Sequence, residues 1–189
     1  MIVKNEEKVI GRCLDSIYKL VDEINIIDTG STDNTKEIVR RYTDRIFDFT
    51  WIDDFSAARN FSFQQATKEY ILWLDADDIL TEENSLKLKT LKETLQPNVD
   101  AVSMIYELSF DEDGNVNSHL SRYRLIKRQR NFKWIGAVHE YLSVNGHLKN
   151  SDVAVTHLPL EHDANRNIAI YERQLDIGKE LSPRDLFYY

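Results

Sequence analysis

The sequence has one cysteine, three prolines and six glycines, and it contains no long apolar run. Because Cys13 stands alone, no internal disulfide can form, and this favours a reducing compartment. No segment approaches the ~20 apolar residues of a membrane-spanning helix. The opening residues Met1 to Glu7 are not typical of a signal peptide. We therefore expect a cytoplasmic protein, with peripheral contact to the inner face of the membrane as the alternative.

Positive charge is also scarce. The 189 residues carry 24 Lys and Arg against 32 Asp and Glu, which gives a formal charge of -8. This balance argues against nucleic acid or an anionic membrane surface as the main partner. Since 42% of the residues are hydrophobic, the chain can bury a core of its own. We expect one domain with a small appendage.

The first half predicts alternating strands and helices. Three short strands are expected at Met1 to Lys4, Glu23 to Ile27 and Arg45 to Asp48, each followed by a helical pattern. Asn5 is expected to cap the first helix, whose apolar stripe is Ile10, Cys13, Leu14, Ile17, Leu20 and Val21. A helix from Phe55 to Ala66 and one from Thr81 to Leu95, stopped by Pro97, complete the series. This alternation predicts an α/β fold with a Rossmann-like, mostly parallel, doubly wound sheet.

The second half predicts antiparallel strands and a terminal helix. Strands are expected at Ala101 to Leu108 and Tyr123 to Lys127, joined by an exposed acidic turn at Asp111 to Asn115. Further strands are expected at Ala137 to Val144 and Val153 to His157. A helix from about Asn165 is expected to bury one stripe made of Ile168, Tyr171, Leu175 and Gly178. The aromatic ending, Phe187 to Tyr189, suggests that more helix follows in a longer parent protein.

Three carboxylates follow the apolar run Tyr70 to Leu74, which reads as a strand buried on both faces. If the strand geometry continues, Asp75 and Asp77 point the same way, and two converging carboxylates repel unless a cation lies between them. Oxygen ligands of this kind suit Mg²⁺ or Mn²⁺. The alternative is that Asp77 and Asp78 only end the strand and cap the next helix.

Four segments in this order resemble the family 2 glycosyltransferases, which have the GT-A fold. They are Met1 to Glu7, Ile27 to Thr35, Ala58 to Asn60 and Leu74 to Asp78. A later segment, Trp134 to Glu140, resembles the branch that includes lipopolysaccharide-core glucosyltransferases and peptide S-glycosyltransferases. The resemblance implies a catalytic domain over residues 1–160, whose first strand begins further upstream in the family. Residues 161–189 would be a helical extension that leads into tetratricopeptide-like helices.

The resemblance also implies an activity. The enzyme would move a hexose from a nucleotide-diphosphate sugar, by expectation a UDP-sugar, to an unidentified saccharide, lipid-linked glycan or peptide. Inversion and a bound Mn²⁺ or Mg²⁺ are expected. Asp77 would bind the metal, and Asp75 would contact the ribose or support the metal.

Several further site residues are implied. Asp28 matches the position that contacts uracil, and Arg59 matches one near the base or phosphates. The remaining nucleotide-sugar contacts would come from Val3, Asn5, Glu6 and Ala76. His157 could contact a metal or a phosphate, and the alternative is that it only packs in the fold.

Glu140 is our candidate general base for the inverting transfer. It is an acid in an otherwise apolar strand-like run, where burial would raise its pKa, and His139 would point to the opposite face. A structural ion pair with Arg122, Arg124 or Lys133 is the alternative. Asp111 and Asp113 are the reserve candidates.

Other functions remain open on the residues alone. A nucleotidyltransferase would share the architecture but needs a Gly-rich basic loop near the first strand. A dehalogenase-like phosphatase with Asp28 as nucleophile lacks the second acid two residues on. A catalytically inactive nucleotide-binding or scaffold domain is the third alternative. We expect Trp51, Trp73 and Trp134 to lie in the core. We expect His119, His147 and His162 to lie on the surface.

Overall fold

The computed structural model describes residues 1–160 and 165–189. The prediction for His162 and the predicted boundary at residues 160–161 involve residues outside this range. Among the described residues, no helix is long and apolar enough to cross a membrane. His119 and His147 are exposed, as predicted.

The first half forms a three-stranded parallel sheet in the order β1-β2-β3, and α1 and α2 make the crossovers. Parallel neighbours need such crossovers because the chain must return to the same end of the sheet. Ile27 of β2 lies between Ile2 of β1 and Phe47 of β3. The elements are β1 (Ile2–Val3), α1 (Ile10–Ile17), β2 (Ile26–Asp28), α2 (Thr35–Val39) and β3 (Ile46–Asp48).

Helix α1 begins later than predicted, and Asn5 does not cap it. Its N-cap is Val9, which makes no side-chain capping bond. Asn5 has a positive φ of 56° and instead accepts a hydrogen bond from the backbone N–H of Thr32. The helix also ends at Ile17, before Leu20. The predicted stripe is correct within the helix, where Ile10, Cys13, Leu14 and Ile17 are all buried.

The next two helices confirm their predicted starts. Asp54 caps α3 (Phe55–Gln64) by accepting from the N–H of Ala57. Thr81 caps α4 (Glu82–Thr94) by accepting from the N–H of Asn84, so the cap is neither Asp77 nor Asp78. Between these helices lie β4 (Tyr70–Leu72) and β5 (Asp78–Ile79).

Strand β4 is shorter than predicted and only half-buried. It lies at the edge of a five-stranded sheet, β4-β7-β6-β10-β5, and pairs antiparallel with β7. All three of its residues are half-buried, so the expected burial on both faces is wrong. Trp73 and Leu74 are buried, but they lie beyond the ladder.

The second half has the predicted hairpin, although its strands are longer. The tip of this hairpin is the exposed turn Asp111 to Asn115. Strands β6 and β7 pair antiparallel, while β6 and β10 pair parallel. The elements are β6 (Ala101–Phe110), β7 (Val116–Lys127), β8 (Lys133–Ile135), β9 (Tyr141–Ser143) and β10 (Leu148–His157).

Of the stripe predicted for helix α5 (Arg166–Asp176), only Tyr171 is buried. Ile170, Tyr171 and Gln174 are buried, whereas Ile168 and Leu175 are exposed. Tyr171 and Ile170 pack against Ala137 and Val138. A final helix, α6 (Pro183–Tyr188), begins with a capping box formed by Ser182 and Asp185.

Candidate active site

A cavity of about 820 Å³ opens where β1 ends and where the acidic turn after β4 begins. Ligand sites in open α/β folds lie at this end of parallel strands. Asn5, Glu6, Arg59, Asp75, Ala76, Asp77 and His157 all line the cavity, together with residues from the start of α5. Seven of the ten predicted site residues therefore line the same cavity.

The acidic segment is a turn and not the end of a strand. The N–H of Asp78 donates to the carbonyl oxygen of Asp75 at 3.2 Å, and the N–H of Asp75 donates to Asp78 Oδ2 at 2.8 Å. The expected alternation of Asp75 and Asp77 along a strand is therefore wrong. Because the chain turns at Ala76, the acids have separate partners.

Asp78 belongs to a fully buried ion pair. Its Oδ2 lies 2.8 Å from Arg124 Nη1, and both side chains have 0% exposure. The guanidinium carbon of Arg124 lies 4.3 Å from the ring centroid of Trp73 and 4.2 Å from that of Tyr106. A buried charge is costly unless it is paired in this way. Arg124 thus holds one oxygen of Asp78 at the base of the acidic turn.

Asp77, Asp78 and His157 form a cluster whose ligand atoms all lie within 4.8 Å of one another. Nδ1 of His157 is 3.5 Å from Oδ1 of Asp77 and 3.5 Å from Oδ1 of Asp78. The neighbouring carboxylates, Asp77 first and then Asp78, raise the pKa of His157 to about 9. The second oxygen of Asp78, Oδ1, is buried and has no hydrogen-bond partner within the described part of the chain. Asp75 lies outside this cluster.

Arg59 connects the acidic turn with Glu140. Its Nη2 lies 2.9 Å from Asp75 Oδ1, and its Nε lies 2.5 Å from Glu140 Oε1. Its guanidinium carbon is 5.2 Å from the Trp73 ring and 4.7 Å from the Trp134 ring. Burial works against the charged guanidinium, but Asp75 and Glu140 outweigh it and raise the Arg59 pKa. Burial likewise opposes ionisation of Asp75, and Arg59 and Arg124 lower its pKa despite this.

This pairing corrects the partner expected for Glu140 in a structural ion pair. Glu140 bonds to Arg59, and not to Arg122, Arg124 or Lys133. Arg59 itself is 14% exposed and pairs with two acids. Helix α3, which carries Arg59, is fixed to the Glu140 region by Asn60, whose amide bonds both the N–H and the carbonyl of Trp134.

The predicted strand from Ala137 to Val144 exists only at Tyr141–Ser143. Residues 136–140 form an irregular turn with positive φ at Gly136 (99°) and His139 (50°). The turn breaks the alternation that was expected to send His139 and Glu140 to opposite faces. Asp111 and Asp113, the reserve bases, lie on the exposed hairpin tip.

Asp28 and Val3 are buried and are not among the residues that line the cavity. Asp28 is 1% exposed, and its carboxylate accepts from the N–H groups of Gly30 and Ser31. Burial alone would raise the Asp28 pKa, but these bonds and Lys36 outweigh it and lower the pKa. The carbonyl of Val3 accepts from the N–H of Thr29 at 2.9 Å. These contacts fix the turn after β2.

Burial also acts on Glu6, whose side chain lines the cavity. Desolvation is the largest cause of its raised pKa, and the neighbouring charge of Asp77 adds to the effect. Two negative groups therefore share this part of the cavity, which favours a cationic ligand between them.

Sequence reasoning missed Arg124 and Tyr106. The ladder register shifts between the pairs Val102–Leu125 and Ser103–Tyr123, which leaves Arg124 as an extra residue on β7. Such a bulge turns a side chain away from the alternation that a sequence pattern predicts. The Tyr106 hydroxyl lies 2.8 Å from His157 Nδ1, a contact between β6 and β10 that no local pattern reveals.

Trp73 and Trp134 are in the core as predicted, while Trp51 is half-buried.

Several relatives are similar in sequence. The glycosyltransferase SunS of a Bacillus subtilis prophage is 28% identical over 203 residues, covering 100% of this chain and 47% of that protein. A TPR repeat-containing protein of Synechococcus elongatus is 39% identical over 107 residues, covering 57% of this chain and 26% of its own length. The lipopolysaccharide core biosynthesis glycosyltransferase LpsC of Rhizobium meliloti is 30% identical over 84 residues, 42% of this chain and 31% of that protein. The chain spans less than half the length of each of these relatives.

Two solved structures show that the fold is that of the GT-A glycosyltransferases. Staphylococcus aureus TarS in complex with UDP-GlcNAc aligns with a TM-score of 0.59 and 16% identity, over 96% of this chain and 66% of that one. Glucosyl-3-phosphoglycerate synthase of Mycobacterium tuberculosis, solved with Mn²⁺ and UDP-glucose, aligns with a TM-score of 0.60 and 15% identity, over 96% of this chain and 78% of that one. Residues 1–147 match the model of the family described as glycosyl transferase family 2. The chain therefore belongs to glycosyl transferase family 2.

Proposed function

We propose that this chain transfers a hexose from a UDP-sugar to an acceptor nucleophile, with inversion and with help from a divalent cation. The observation that carries the proposal is the cluster of Asp77, Asp78 and His157, in which Asp77 and His157 line the 820 Å³ cavity and Asp78 is buried behind them. Support comes from two GT-A enzymes of the same fold that were solved with UDP-GlcNAc and with Mn²⁺ and UDP-glucose. Family membership favours this activity over the nucleotidyltransferase and phosphatase alternatives.

The residues present fit a divalent cation. Asp78 Oδ1 is a buried carboxylate oxygen with no hydrogen-bond partner in the described part of the chain, and it faces His157 Nδ1. Two carboxylates and one imidazole suit Mn²⁺, and carboxylates also suit Mg²⁺. Asp77 and His157 would hold the ion, with Asp78 beside them. The bound cation would neutralise charge that builds on the β-phosphate as the nucleotide leaves.

The nucleotide would lie between the first two loops and the acidic turn. Asn5, Glu6 and Ala76 line this part of the cavity, and Asp75 faces it from its contact with Arg59. We propose that Asp75 binds the ribose and that Arg59 contacts the phosphates. Val3 and Asp28 would act indirectly. Their hydrogen bonds fix the turn after β2, and this turn leads to Thr32, where we propose that the uracil binds.

Glu140 remains our proposed general base. Inverting transfer needs a carboxylate that takes the proton of the acceptor as it attacks the anomeric carbon. Glu140 is 11% exposed and is tied through Arg59 to Asp75, so the proposed base and the proposed ribose contact share one cation. This bridge would keep the distance between donor and base constant during the reaction.

The test is release of UDP from UDP-glucose and from UDP-N-acetylglucosamine, measured with Mn²⁺, with Mg²⁺ and with excess chelator. We expect metal-dependent turnover that Asp77→Asn reduces on the order of 10²-fold or more. Asp113→Asn is the matched control, since Asp113 lies on the exposed hairpin tip. Full turnover in chelator, or in Asp77→Asn, would contradict the metal-assisted mechanism.

A further inference from the structure

The turn that carries Glu140, residues 136–140, has no strand pairing of its own. Three consecutive carbonyl groups in it accept hydrogen bonds from three different helices. The carbonyl of Ala137 accepts from the N–H of Phe55 at 2.8 Å, and that of Val138 accepts from the hydroxyl of Tyr171 at 3.4 Å. The carbonyl of His139 accepts from Arg184 at 3.2 and 3.3 Å. Two of these three donors belong to the C-terminal helices α5 and α6.

His139 is the strained residue of this turn. Its φ of 50° lies in a region that a residue with a Cβ rarely adopts, and such a conformation persists only when its surroundings hold it. Helix α6 provides those surroundings. The His139 ring stacks on Tyr188 with 4.1 Å between centroids and 14° between planes. Arg184 lies over the rings of Tyr188 and Tyr141, at 5.1 Å from each.

The same C-terminal helices hold a second residue with positive φ. Asp53 has a φ of 55°, and both of its carboxylate oxygens accept from Arg173 of α5 at 2.6 and 2.9 Å. The amide of Gln174 bonds the Asp53 carbonyl. Asp53 directly precedes Asp54, the cap of the helix that carries Arg59. The C-terminal helices therefore contact the chain next to Glu140 and at the start of the helix that carries Arg59.

We infer that α5 and α6 form a positioning element of the active site, and that Arg184 and Tyr188 act through His139 to hold Glu140 against Arg59. In this role the segment is a working part of the catalytic domain and not an appendage. The inference rests on the proposed function for its catalytic meaning, but its structural content can be measured without any substrate.

The experiment is hydrogen exchange, read by mass spectrometry, on the ligand-free chain. We compare wild type with Arg184→Ala/Tyr188→Ala and with Leu186→Ala, a control on the same helix whose side chain is 62% exposed. The double variant should exchange at least about tenfold faster in peptides covering residues 136–142, while helix α1 keeps its protection. Tyr188→Phe keeps the stacking ring and should retain the protection that Tyr188→Ala loses.

Turnover and binding complete the test. The double variant should lower kcat for UDP release from UDP-glucose by about tenfold or more and change the Kd for UDP by less than about twofold. Unchanged exchange at residues 136–142 would overturn the inference, as would equal loss of protection throughout the chain. Faster exchange in the double variant, together with full turnover in Glu140→Gln, would keep the positioning role of α6 and refute Glu140 as the base.

Discussion

Replacing Arg124 by Met should destabilise the chain strongly, because it leaves Asp78 as a buried carboxylate without its partner. Both side chains have 0% exposure, and the two atoms of the pair are 2.8 Å apart. Breaking a buried ion pair on one side costs about 3–5 kcal/mol. For a domain of this size, that loss corresponds to a decrease in Tm of about 6–20 °C.

The assay is urea and thermal unfolding of the metal-free protein. Arg122→Met is the matched control, because Arg122 is exposed and lies two residues away on the same strand. The double variant Arg124→Met/Asp78→Leu removes both charges and should recover part of the lost stability. A loss below about 1 kcal/mol for Arg124→Met, the range of exposed ion pairs, would refute the buried pair as the support of the acidic turn.

Three further predictions concern the site. Glu140→Gln should retain UDP binding while transfer falls on the order of 10²–10⁴-fold, and normal transfer would move the role of base elsewhere. Asp28→Ala should weaken UDP binding by about 1–3 kcal/mol in calorimetry, since the N–H groups of Gly30 and Ser31 lose their acceptor, and unchanged affinity would remove Asp28 from the nucleotide pocket. The pKa of His157 rises from 6.5 to about 9 on folding, so its protonation stabilises the metal-free fold fully below pH 6.5, and this contribution is lost as the pH rises through 9. His157→Gln should flatten this part of the stability profile, and an unchanged slope would contradict the assignment.

Sequence patterns predicted the parts of the fold that depend on local chemistry. The helix starts predicted at Phe55 and at Thr81 are confirmed, and Thr81 caps its helix because its hydroxyl oxygen reaches the backbone N–H three residues later. The location of Asp75 and Asp77 beside a cavity was also predicted, because acids that follow a strand lie where ligands bind, although their turn conformation was not. The convergence of Asp75, Arg59 and Glu140 needed the tertiary structure, since 81 residues separate Arg59 from Glu140.

The wrong expectations have two physical causes. Asn5 was predicted to cap a helix because Glu6 and Glu7 follow it. Its side chain instead accepts a hydrogen bond from the N–H of Thr32, a contact that forms only when the sheet folds. On α5, apolar side chains predicted a stripe through Ile168 and Leu175, yet the face that packs is the one toward Ala137 and Val138. When apolar residues lie on more than one face of a helix, its packing partners decide which face is buried.

Metal-dependent binding of UDP, measured by isothermal titration calorimetry, tests the central claim most directly. Wild type and Asp113→Asn should bind UDP with Mn²⁺ at least about tenfold more tightly than in chelator, and Asp77→Asn should lose this difference while still unfolding cooperatively as a folded domain. Equal UDP affinity with and without Mn²⁺ in the wild-type chain would contradict the account of the Asp77, Asp78 and His157 cluster as the metal site of a UDP-sugar transferase.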